Sequence, residues 1–257
     1  MIQKYSVAVV TGASIGIGRA VAKQLAQAKV KLILIARREE KLRALAHELR
    51  DLTTCYLVNC DLRDHAKLAQ HFKELPDAFS AVDILINNAG LALGVAPAQQ
   101  SSWRDWQDMI DVNCTALAHI THLLLPGMVA RNRGHVVNIG SVAGTYPYLG
   151  GNVYGATKSF VKQFSLNLKA DLLGTAVRVT NIEPAMVGGT EFSQVRFKGD
   201  EGKAAQVYEG VEPLRPESVA DAVLWAVSQP PHVNITRIEL MPVCQAASGI
   251  AVDRKLP

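Results

Sequence analysis

The sequence predicts an α/β fold: one domain in which helices cover both faces of a doubly wound parallel sheet of about seven strands. Short apolar segments alternate with longer segments of helical period, which is typical of parallel strands joined by helices. No linker or change in composition divides residues 1–257, so we expect a single domain. The predicted strands are residues 6–11, 31–36, 54–60, 82–87, 135–140, 176–182 and 236–241.

The segments between these strands carry apolar residues at three- and four-residue steps, as helices with one buried face do. A longer segment repeats apolar residues at four-residue steps, which predicts a helix that packs in the core or against another subunit. The residues that mark the three helices are Ile17, Val21, Leu25 and Ala28, then Leu42, Leu45 and Leu49, then Ala156, Phe160, Phe164, Leu168 and Leu172.

One long connection interrupts the alternation, at about residues 184–216, and it is rich in glycine. A connection of this length in a compact domain usually covers a functional site or carries short helices of its own. Because this one follows a strand, we predict that it is a substrate lid.

Composition and charge exclude several functions. Hydrophobic residues make up 49% of the chain and charged residues 19%, which suits a folded core and excludes a disordered chain. The 27 Lys and Arg exceed the 23 Asp and Glu by only four and form no basic stripe, so we expect no nucleic-acid partner. No signal-peptide core and no apolar run near the roughly 18 uncharged residues of a membrane span is apparent, so we expect no membrane partner.

The cysteines and histidines predict no metal site. His119 and His122 lie three residues apart on a helix-like stretch, but no third ligand is near them. The cysteines form no C-x-x-C pair, and we interpret them as the reduced thiols of a cytoplasmic protein. They are Cys55, Cys60, Cys114 and Cys244.

A glycine-rich turn, TGASIGIG at residues 11–18, follows the first predicted strand. Glycine permits positive φ and close approach of the backbone to a pyrophosphate, and the N-terminus of the next helix offers free N–H groups. The spacing is G-x-x-x-G-x-G rather than the common G-x-G-x-x-G. Glycines also close ordinary strand-to-helix turns, but the position directly after the first strand favours a dinucleotide site.

The end of the second strand predicts NADP rather than NAD. An NAD site expects an acid there for the ribose 2′-hydroxyl, whereas this strand ends in Arg37 and Arg38, which can pair with a 2′-phosphate. The alternative is that both arginines simply open a solvated helix. Asp61, after the third strand, could accept from the adenine amino group or cap the following helix.

Tyr154 and Lys158 lie four residues apart at the start of the long helix, and hence on one face, roughly 5–6 Å apart at Cβ. An ammonium at that distance is expected to lower the pKa of the phenol, so that Tyr154 acts as a general acid or base near neutral pH. Ser141 closes the fifth strand and can bind the same substrate oxygen. Asn88 and Asn113 could serve the same region or be ordinary turn and helix residues.

The order and spacing of TGASIGIG, NNAG, YGATK and PAMVGGT resemble the short-chain dehydrogenase/reductase family over the whole chain. The resemblance implies a Rossmann-like sheet of seven strands, usually in a homotetramer. It implies a catalytic set in which Lys158 also holds the nicotinamide ribose and Asn113 supports a water-mediated proton relay. That set is Asn113, Ser141, Tyr154 and Lys158.

The resemblance also implies which residues bind the cofactor. They are Gly12, Ala13, Ser14, Ile15, Gly16, Ile17, Gly18, Arg37, Arg38, Asp61, Leu62, Asn88, Ala89, Gly90, Tyr154, Lys158, Pro184, Ala185, Met186, Val187, Gly188, Gly189, Thr190, Glu191 and Phe192. One residue departs from the family pattern: Ala185 stands where a glycine is expected after Pro184, which puts the path of this loop over the nicotinamide in question.

Longer segments, including NNAGLALG and VGGTEFSQVRFKGD, resemble family members that use NADP to act on small 3-hydroxy acids. This resemblance implies hydride transfer between NADP(H) and a 3-hydroxy or 3-oxo acid of the L-serine, L-allo-threonine, 3-hydroxyisobutyrate or malonic semialdehyde type. Two alternatives are a 3-oxoacyl-thioester reductase, which must admit a pantetheine arm, and a non-catalytic NADP-binding regulator. A regulator would have no use for Ser141 and Tyr154 together.

Two cations of the predicted lid are candidates for binding the substrate carboxylate. Arg196 and Lys198 flank an aromatic residue in a segment that should close over the site. The guanidinium of Arg196 matches the two carboxylate oxygens better than an ammonium does, so we favour Arg196. The alternative is that both side chains are solvated lid residues.

Overall fold

The computed structural model describes residues 5–247, which contain one sheet of seven parallel strands in the order β3-β2-β1-β4-β5-β6-β7. The strands are β1 Val7–Thr11, β2 Lys31–Ala36, β3 Cys55–Asn59, β4 Ile84–Asn87, β5 Gly134–Ile139, β6 Val177–Pro184 and β7 Arg237–Leu240. All seven predicted strands are present, and both ends of each lie within two residues of the predicted bounds. The predicted fold class is confirmed.

Helices cover both faces of this sheet. They are α1 Gly16–Gln27, α2 Glu39–Leu49, α3 His65–Lys73, α4 Asp77–Ser80, α5 Trp103–Ile110, α6 Leu117–Ala130, α7 Asn152–Asp171, α8 Phe192–Arg196, α9 Glu201–Gln206 and α10 Pro216–Ser228. A π-helical turn, Asp111–Ala116, joins α5 to α6, and short 3-10 turns occupy Ala98–Gln100 and Val142–Gly144. Each of the three helices marked by apolar periodicity is present.

The core consists of two layers, because successive residues of a strand point to opposite faces of the sheet. Ala8 and Val10 of β1 pack in the layer under α1, α2 and α10. Val7 and Val9 pack in the other layer, under α6 and α7. Both faces of the central strands are therefore buried, as parallel sheets require.

The helix formed by α5, the π-helical turn and α6 corrects one expectation. Residues 112–130 contain no Asp, Glu, Lys or Arg, so an uncharged run as long as a membrane span does exist. By length and composition alone, the continuous helix Trp103–Ala130 could cross a membrane. Its apolar side instead packs in the core, where Ile120, Leu124 and Met128 lie against the sheet. Burial against β-strands accounts for this composition.

The apolar stripe of α7 divides between two environments. Leu168 and Leu172 are buried in the core, whereas Ala156 and Phe160 are exposed and Phe164 is partly buried. Phe160 and Phe164 stack on each other, with ring centroids 5.8 Å apart. The prediction of core packing therefore holds for the second half of the stripe, and subunit contact stays a prediction for the exposed first half.

Residues 184–216 carry short helices of their own, α8 and α9, as long connections often do. A bridge between Val187 and Leu214 brings the two ends of this segment together. The segment thus forms a compact excursion from the end of β6, and we refer to residues 184–216 as the lid segment.

Candidate active site

The sheet order places a crevice between the ends of β1 and β4, where consecutive connections leave in opposite directions. Ligands of open α/β sheets bind at such switch points, outside the carboxyl ends of the strands. Thr11 ends β1, Asn87 ends β4, and Ser141 follows β5. The sequence-predicted residues therefore converge on one edge of the sheet.

The glycine-rich turn is shaped for close contact. Gly12 and Gly16 have φ of +63° and +53°, values that favour glycine. A Cβ on Gly18 would lie 2.4 Å from both the Asn88 amide nitrogen and the Gly12 carbonyl oxygen, so no larger residue fits there. Asn88 Nδ2 donates to the carbonyl oxygens of Thr11 and Gly12, at 2.9 and 3.2 Å, and holds the turn in place.

Helix α1 begins at Gly16 with its N-terminus open to an anion. No side chain caps it, since Ile15 occupies the N-cap, and its first turn holds no acidic residue. Its first N–H groups and the positive end of the helix dipole are therefore available to a phosphate. The turn and the helix fit the pyrophosphate of a dinucleotide.

The cations expected at the 2′-phosphate are present, and they face acidic neighbours. Arg37 has a side chain that is 66% exposed and lies 4.0 Å from Asp61. Arg38 donates to Glu191 of the lid segment at 2.7 Å, and Lys41 pairs with the same carboxylate at 2.6 Å. These contacts place three cations at the end of β2, where the sequence predicts two.

Asp61 does not cap the helix that follows it. It accepts from the backbone and guanidinium of Arg63, and these hydrogen bonds lower the pKa of its carboxyl. Asp64 is the N-cap of α3 and accepts from Lys67 N at 3.0 Å. The capping interpretation of Asp61 was therefore wrong, because α3 begins later than the sequence suggests. Leu62 lies beside it, partly buried.

The NNAG loop connects the glycine-rich turn to the reactive residues. The backbone N–H groups of Asn88 and Ala89 donate to Thr11 Oγ1 at 2.9 and 3.0 Å. A Cβ on Gly90 would lie 3.2 Å from Asn113 Oδ1 and 3.4 Å from Lys158 Nζ. The loop therefore runs from the cofactor turn to the catalytic candidates.

The start of the lid segment lies over the glycine-rich turn, since a Cβ on Gly16 would be 3.1 Å from the Thr190 methyl group. Ala185, the departure from the family pattern, donates its N–H to Leu240 O at 2.8 Å and does not have positive φ. Alanine is therefore accommodated without backbone strain. The other lid residues predicted to bind the cofactor are Met186, Val187, Gly188, Gly189, Glu191 and Phe192, which continue along this path.

Tyr154, Lys158 and Ser141 lie together beneath this cover. Tyr154 is 8% exposed and Lys158 is 6% exposed. Lys158 Nζ lies 5.9 Å from the centroid of the Tyr154 ring and donates to Ile139 O at 2.9 Å. Ser141 Oγ accepts from Ala143 N at 3.2 Å and donates to Pro184 O at 3.3 Å, which fixes the hydroxyl between β5 and β6.

Asn113 is buried in the π-helical turn, a deformation that recurs at functional sites. Its amide brackets the backbone of Leu91: Oδ1 accepts from Leu91 N at 2.9 Å and Nδ2 donates to Leu91 O at 2.8 Å. Nδ2 also donates to Thr157 Oγ1 at 3.0 Å. The Asn113 side chain therefore ties the NNAG loop to α7, and all its amide protons are used.

The pKa of Tyr154 differs from the sequence prediction. Burial raises it to about 12, although hydrogen bonding to Ser141 and the charge of Arg196 lower it. Burial also lowers the pKa of Lys158 to about 8. The prediction that Lys158 brings the phenol near neutrality was wrong for this structure, because loss of hydration disfavours the charged form of both groups. Tyr154 is therefore a protonated phenol at neutral pH.

Arg196 lies against the reactive tyrosine. Its guanidinium carbon is 5.3 Å from the Tyr148 ring centroid, 5.6 Å from that of Tyr154 and 5.9 Å from that of Phe192. Its Nη2 donates to the Tyr148 hydroxyl. Arg196 O accepts from Gly94 N at 2.9 Å and Arg196 Nε donates to Gly94 O at 3.3 Å, so the lid segment is joined to the loop after β4.

Lys198 is not brought to this cluster. Its ammonium lies 2.8 Å from Asp105 of α5, and the side chain is exposed. The structure thus separates the two lid cations that the sequence treats as a pair.

Two neighbours of the reactive residues were not predicted from the sequence, Tyr148 and Thr157. Phe192, predicted as a cofactor residue, packs against the ring of Tyr154. Thr157 lies three residues after Tyr154 and directly before Lys158, so its position on the same turn of α7 could have predicted it. Tyr148 comes from an irregular loop, and no spacing rule predicts which side chain of such a loop meets a distant lid residue. Among residues 5–247, no group of three or more His, Cys, Asp or Glu could hold a metal ion.

The fold and the site define a dinucleotide-binding α/β protein with a buried tyrosine and lysine at the switch point of its sheet. The chain belongs to the short chain dehydrogenase family, whose model matches residues 6–201. An NADP-dependent 3-hydroxy acid dehydrogenase of Escherichia coli K12 is 51% identical over 249 residues, which are 97% of this chain and 100% of that protein. A serine 3-dehydrogenase of Agrobacterium fabrum is 47% identical over 246 residues, covering 96% and 97% of the two chains.

Solved structures agree with this placement. The closed form of a serine dehydrogenase complexed with NADP⁺ is similar with a TM-score of 0.93 and 51% identity, over 97% of this chain and 100% of that chain. Serine dehydrogenase from Escherichia coli gives a TM-score of 0.81 at 46% identity, over 93% and 99% of the two chains.

We expect Lys158→Met to raise the free energy of unfolding of the cofactor-free protein, and to raise it more at pH 7 than at pH 11. The folded-state pKa of Lys158, about 8, lies below the ordinary 10.5, so the unfolded chain binds a proton that the folded chain does not between these values. Wild-type stability therefore rises with pH through this window, and methionine has no such dependence. Urea unfolding should show the advantage of the variant shrinking by roughly 3 kcal/mol between pH 7 and pH 11. A difference in stability that is constant with pH would contradict the assignment.

Proposed function

We propose that this protein transfers a hydride between NADP(H) and the β-carbon of a small 3-hydroxy or 3-oxo acid. The observation that carries the proposal is the Arg196 guanidinium, 5.6 Å from the ring of the buried Tyr154. This geometry puts a cation for a carboxylate next to a proton donor. Three relatives support the same class of substrate: the NADP-dependent 3-hydroxy acid dehydrogenase, the serine 3-dehydrogenase, and the serine dehydrogenase complexed with NADP⁺.

The protein is an NADP-dependent oxidoreductase of CH–OH groups, and its own residues divide the work of binding. NADP supplies or accepts the hydride when it is bound. We assign the pyrophosphate to the glycine-rich turn and the N-terminus of α1, and the 2′-phosphate to Arg37 and Arg38. Lys158 is the candidate for holding the nicotinamide ribose, together with the NNAG loop beside it.

Tyr154 moves the proton in this proposal. A phenol with a pKa of about 12 keeps its proton at neutral pH and can donate it to a carbonyl oxygen in the reductive direction. In the oxidative direction the same group must first lose that proton. Ser141 donates to or accepts from the same substrate oxygen, and Lys158 in its charged form stabilises the phenolate. Asn113 holds the loop and α7 in register, and a bound water next to it would complete a proton relay.

Arg196 is the candidate for binding the carboxylate. A short hydroxy acid has little apolar surface, so a charged hydrogen bond is its main source of orientation. The rings of Tyr148, Tyr154 and Phe192 surround the guanidinium and limit its hydration, which strengthens that bond. Candidate substrates are L-serine, L-allo-threonine, 3-hydroxyisobutyrate and malonic semialdehyde.

A 3-oxoacyl-thioester reductase is the alternative within the family. A 3-oxoacyl-[acyl-carrier protein] reductase from Brucella melitensis has a TM-score of 0.78 at 26% identity. The Arg196 guanidinium beside Tyr154 favours the short acid over this substrate, because a 3-oxoacyl thioester has no free carboxylate for it to bind. We also propose a cytoplasmic homotetramer in which the exposed half of the α7 stripe contacts a second subunit.

Replacing Tyr154 with phenylalanine is expected to abolish turnover and leave NADPH binding nearly unchanged. The substitution removes the transferable proton but keeps the ring packed against Phe192, so the loss belongs in kcat. Stopped-flow NADPH oxidation with malonic semialdehyde measures kcat, and NADPH fluorescence titration measures the Kd. A variant that keeps more than half of the wild-type kcat, with chemistry limiting the rate, would disprove the assignment.

Replacing Arg196 with alanine should lower kcat/KM for malonic semialdehyde by roughly one to two powers of ten, since a charged hydrogen bond contributes about 1.5–3 kcal/mol. Propanal, an uncharged aldehyde of similar size, should lose much less. The matched control is Lys198→Ala, which removes a lid cation that is paired with Asp105 instead, and it should change neither value more than about twofold. Equal losses on both aldehydes would mean that Arg196 shapes the lid without binding the carboxylate.

A further inference from the structure

Two of the three cations at the end of β2 share one carboxylate of the lid segment. Arg38 Nη1 lies 2.7 Å from Glu191 Oε2, and Lys41 Nζ lies 2.6 Å from Glu191 Oε1. The carboxylate thus uses both of its oxygens on cations of the β2–α2 region. The hydrogen bond from Lys41, and to a smaller extent that from Arg38, lowers the pKa of the Glu191 carboxyl. Glu191 is therefore ionised at neutral pH.

These ion pairs cross the mouth of the cofactor crevice. Arg38 directly precedes α2 and Lys41 lies in its first turn, whereas Glu191 belongs to the lid segment, 150 or more residues later in the chain. Thr190, which precedes Glu191 in the chain, packs on Gly16 of the glycine-rich turn. In NADP-binding sheets of this kind, the 2′-phosphate lies at the end of the second strand. Glu191 contacts the cations at this end of β2.

Glu191 is the N-cap residue of α8, whose last residue is Arg196. The helix rises by about 1.5 Å per residue, so its two ends are separated by less than roughly 10 Å. One end contacts the cations of the cofactor site and the other contacts Tyr154. A displacement of Glu191 therefore moves the N-terminus of the short helix that also carries Arg196, the residue proposed to bind substrate.

We propose that Glu191 is a specificity-determining residue for the cofactor: its carboxylate competes with the 2′-phosphate for Arg38 and Lys41, and NADP displaces it whereas NAD leaves it paired. This inference rests on the proposed assignment of Arg37 and Arg38 to the 2′-phosphate. The competition has a physical basis in charge. Arg38 and Lys41 face the carboxylate of Glu191, and Arg37 faces that of Asp61. A phosphate carries about two negative charges, so it attracts these cations more strongly than the single charge of Glu191 does.

In this proposal the ion pairs of Glu191 must break when NADP binds, and this lowers the affinity for NADP. All three side chains are between 30% and 43% exposed, so each pair is weak and screened by salt. Removing the competitor should therefore strengthen NADP⁺ binding by a modest factor. NAD⁺ has no 2′-phosphate and should gain little. The ratio of the two affinities isolates the effect from any general loosening of the lid, since that would act on both cofactors.

The test is isothermal titration of the purified protein with NADP⁺ and with NAD⁺, for the wild type, Glu191→Gln and Glu39→Gln. Glu39 is the matched control: it is the residue next to Arg38 and carries the same charge, but it pairs with Arg43 within α2. We expect Glu191→Gln to raise the ratio of NADP⁺ to NAD⁺ affinity about three- to tenfold at low salt. The gain should fall toward onefold at roughly 0.3 M salt, and Glu39→Gln should stay within about twofold of the wild type.

An unchanged or lowered ratio in Glu191→Gln overturns the proposal, and so does an equal rise in Glu39→Gln, which would indicate a nonspecific effect of net charge. The two levels of inference fail in different ways. If the assignment of the 2′-phosphate site is wrong, the double variant Arg37→Leu, Arg38→Leu keeps the wild-type preference for NADP⁺. If only the competition is wrong, that double variant loses the preference while Glu191→Gln leaves it unchanged. Thermal melting of each variant with and without NADP⁺ confirms that the compared proteins are folded.

Discussion

The site depends on the hydrogen bonds that join the ends of β1 and β4. The Thr11 hydroxyl donates to Ile86 O and accepts from the N–H groups of Asn88 and Ala89. Parallel strands that diverge at a switch point leave their last polar groups unpaired, and these bonds satisfy them. The same loop then contacts Asn113, which reaches Thr157 on α7. A continuous polar chain thus runs from the cofactor turn to the helix that carries Tyr154.

Burial sets the chemistry at the far end of this chain. Tyr154 and Lys158 are nearly inaccessible, and burial shifts both equilibria toward the neutral form: the pKa of Tyr154 rises to about 12 and that of Lys158 falls to about 8. The protein thereby holds a protonated phenol in a place that water hardly reaches. Ser141 and the Arg196 guanidinium are the nearby groups that oppose this trend for the phenol. The lid segment therefore contributes to the electrostatics around the phenol through the charge of Arg196.

The sequence predicted the fold because both signals it rests on are local. Apolar segments of four to eight residues give buried strands directly, and the glycine-rich turn after β1 predicts an anion site through backbone conformation alone. The pKa of Tyr154 could not be predicted in this way, because spacing along α7 gives the distance to Lys158 but not the water excluded by other elements. The same limit applies to Arg196 and Lys198, two residues apart in the chain, of which one faces Tyr154 and the other Asp105.

The π-helical turn at Asp111–Ala116 changes the phase of the long helix that contains it. Eleven residues separate Met109 from Ile120, which is about three whole turns of regular α-helix, so the two side chains would point the same way. Here Met109 packs with Ala92 and Tyr154, whereas Ile120 packs under the sheet with Leu85 and Val136. The wider turn rotates the second half of the helix relative to the first. One helix can therefore line the site around Tyr154 with its first half and the core with its second. Because a π-helical turn accommodates one residue more than a regular α-helical turn, deleting a single residue from it would restore a regular helix, leave both halves on their present faces and remove the deformation in which Asn113 lies.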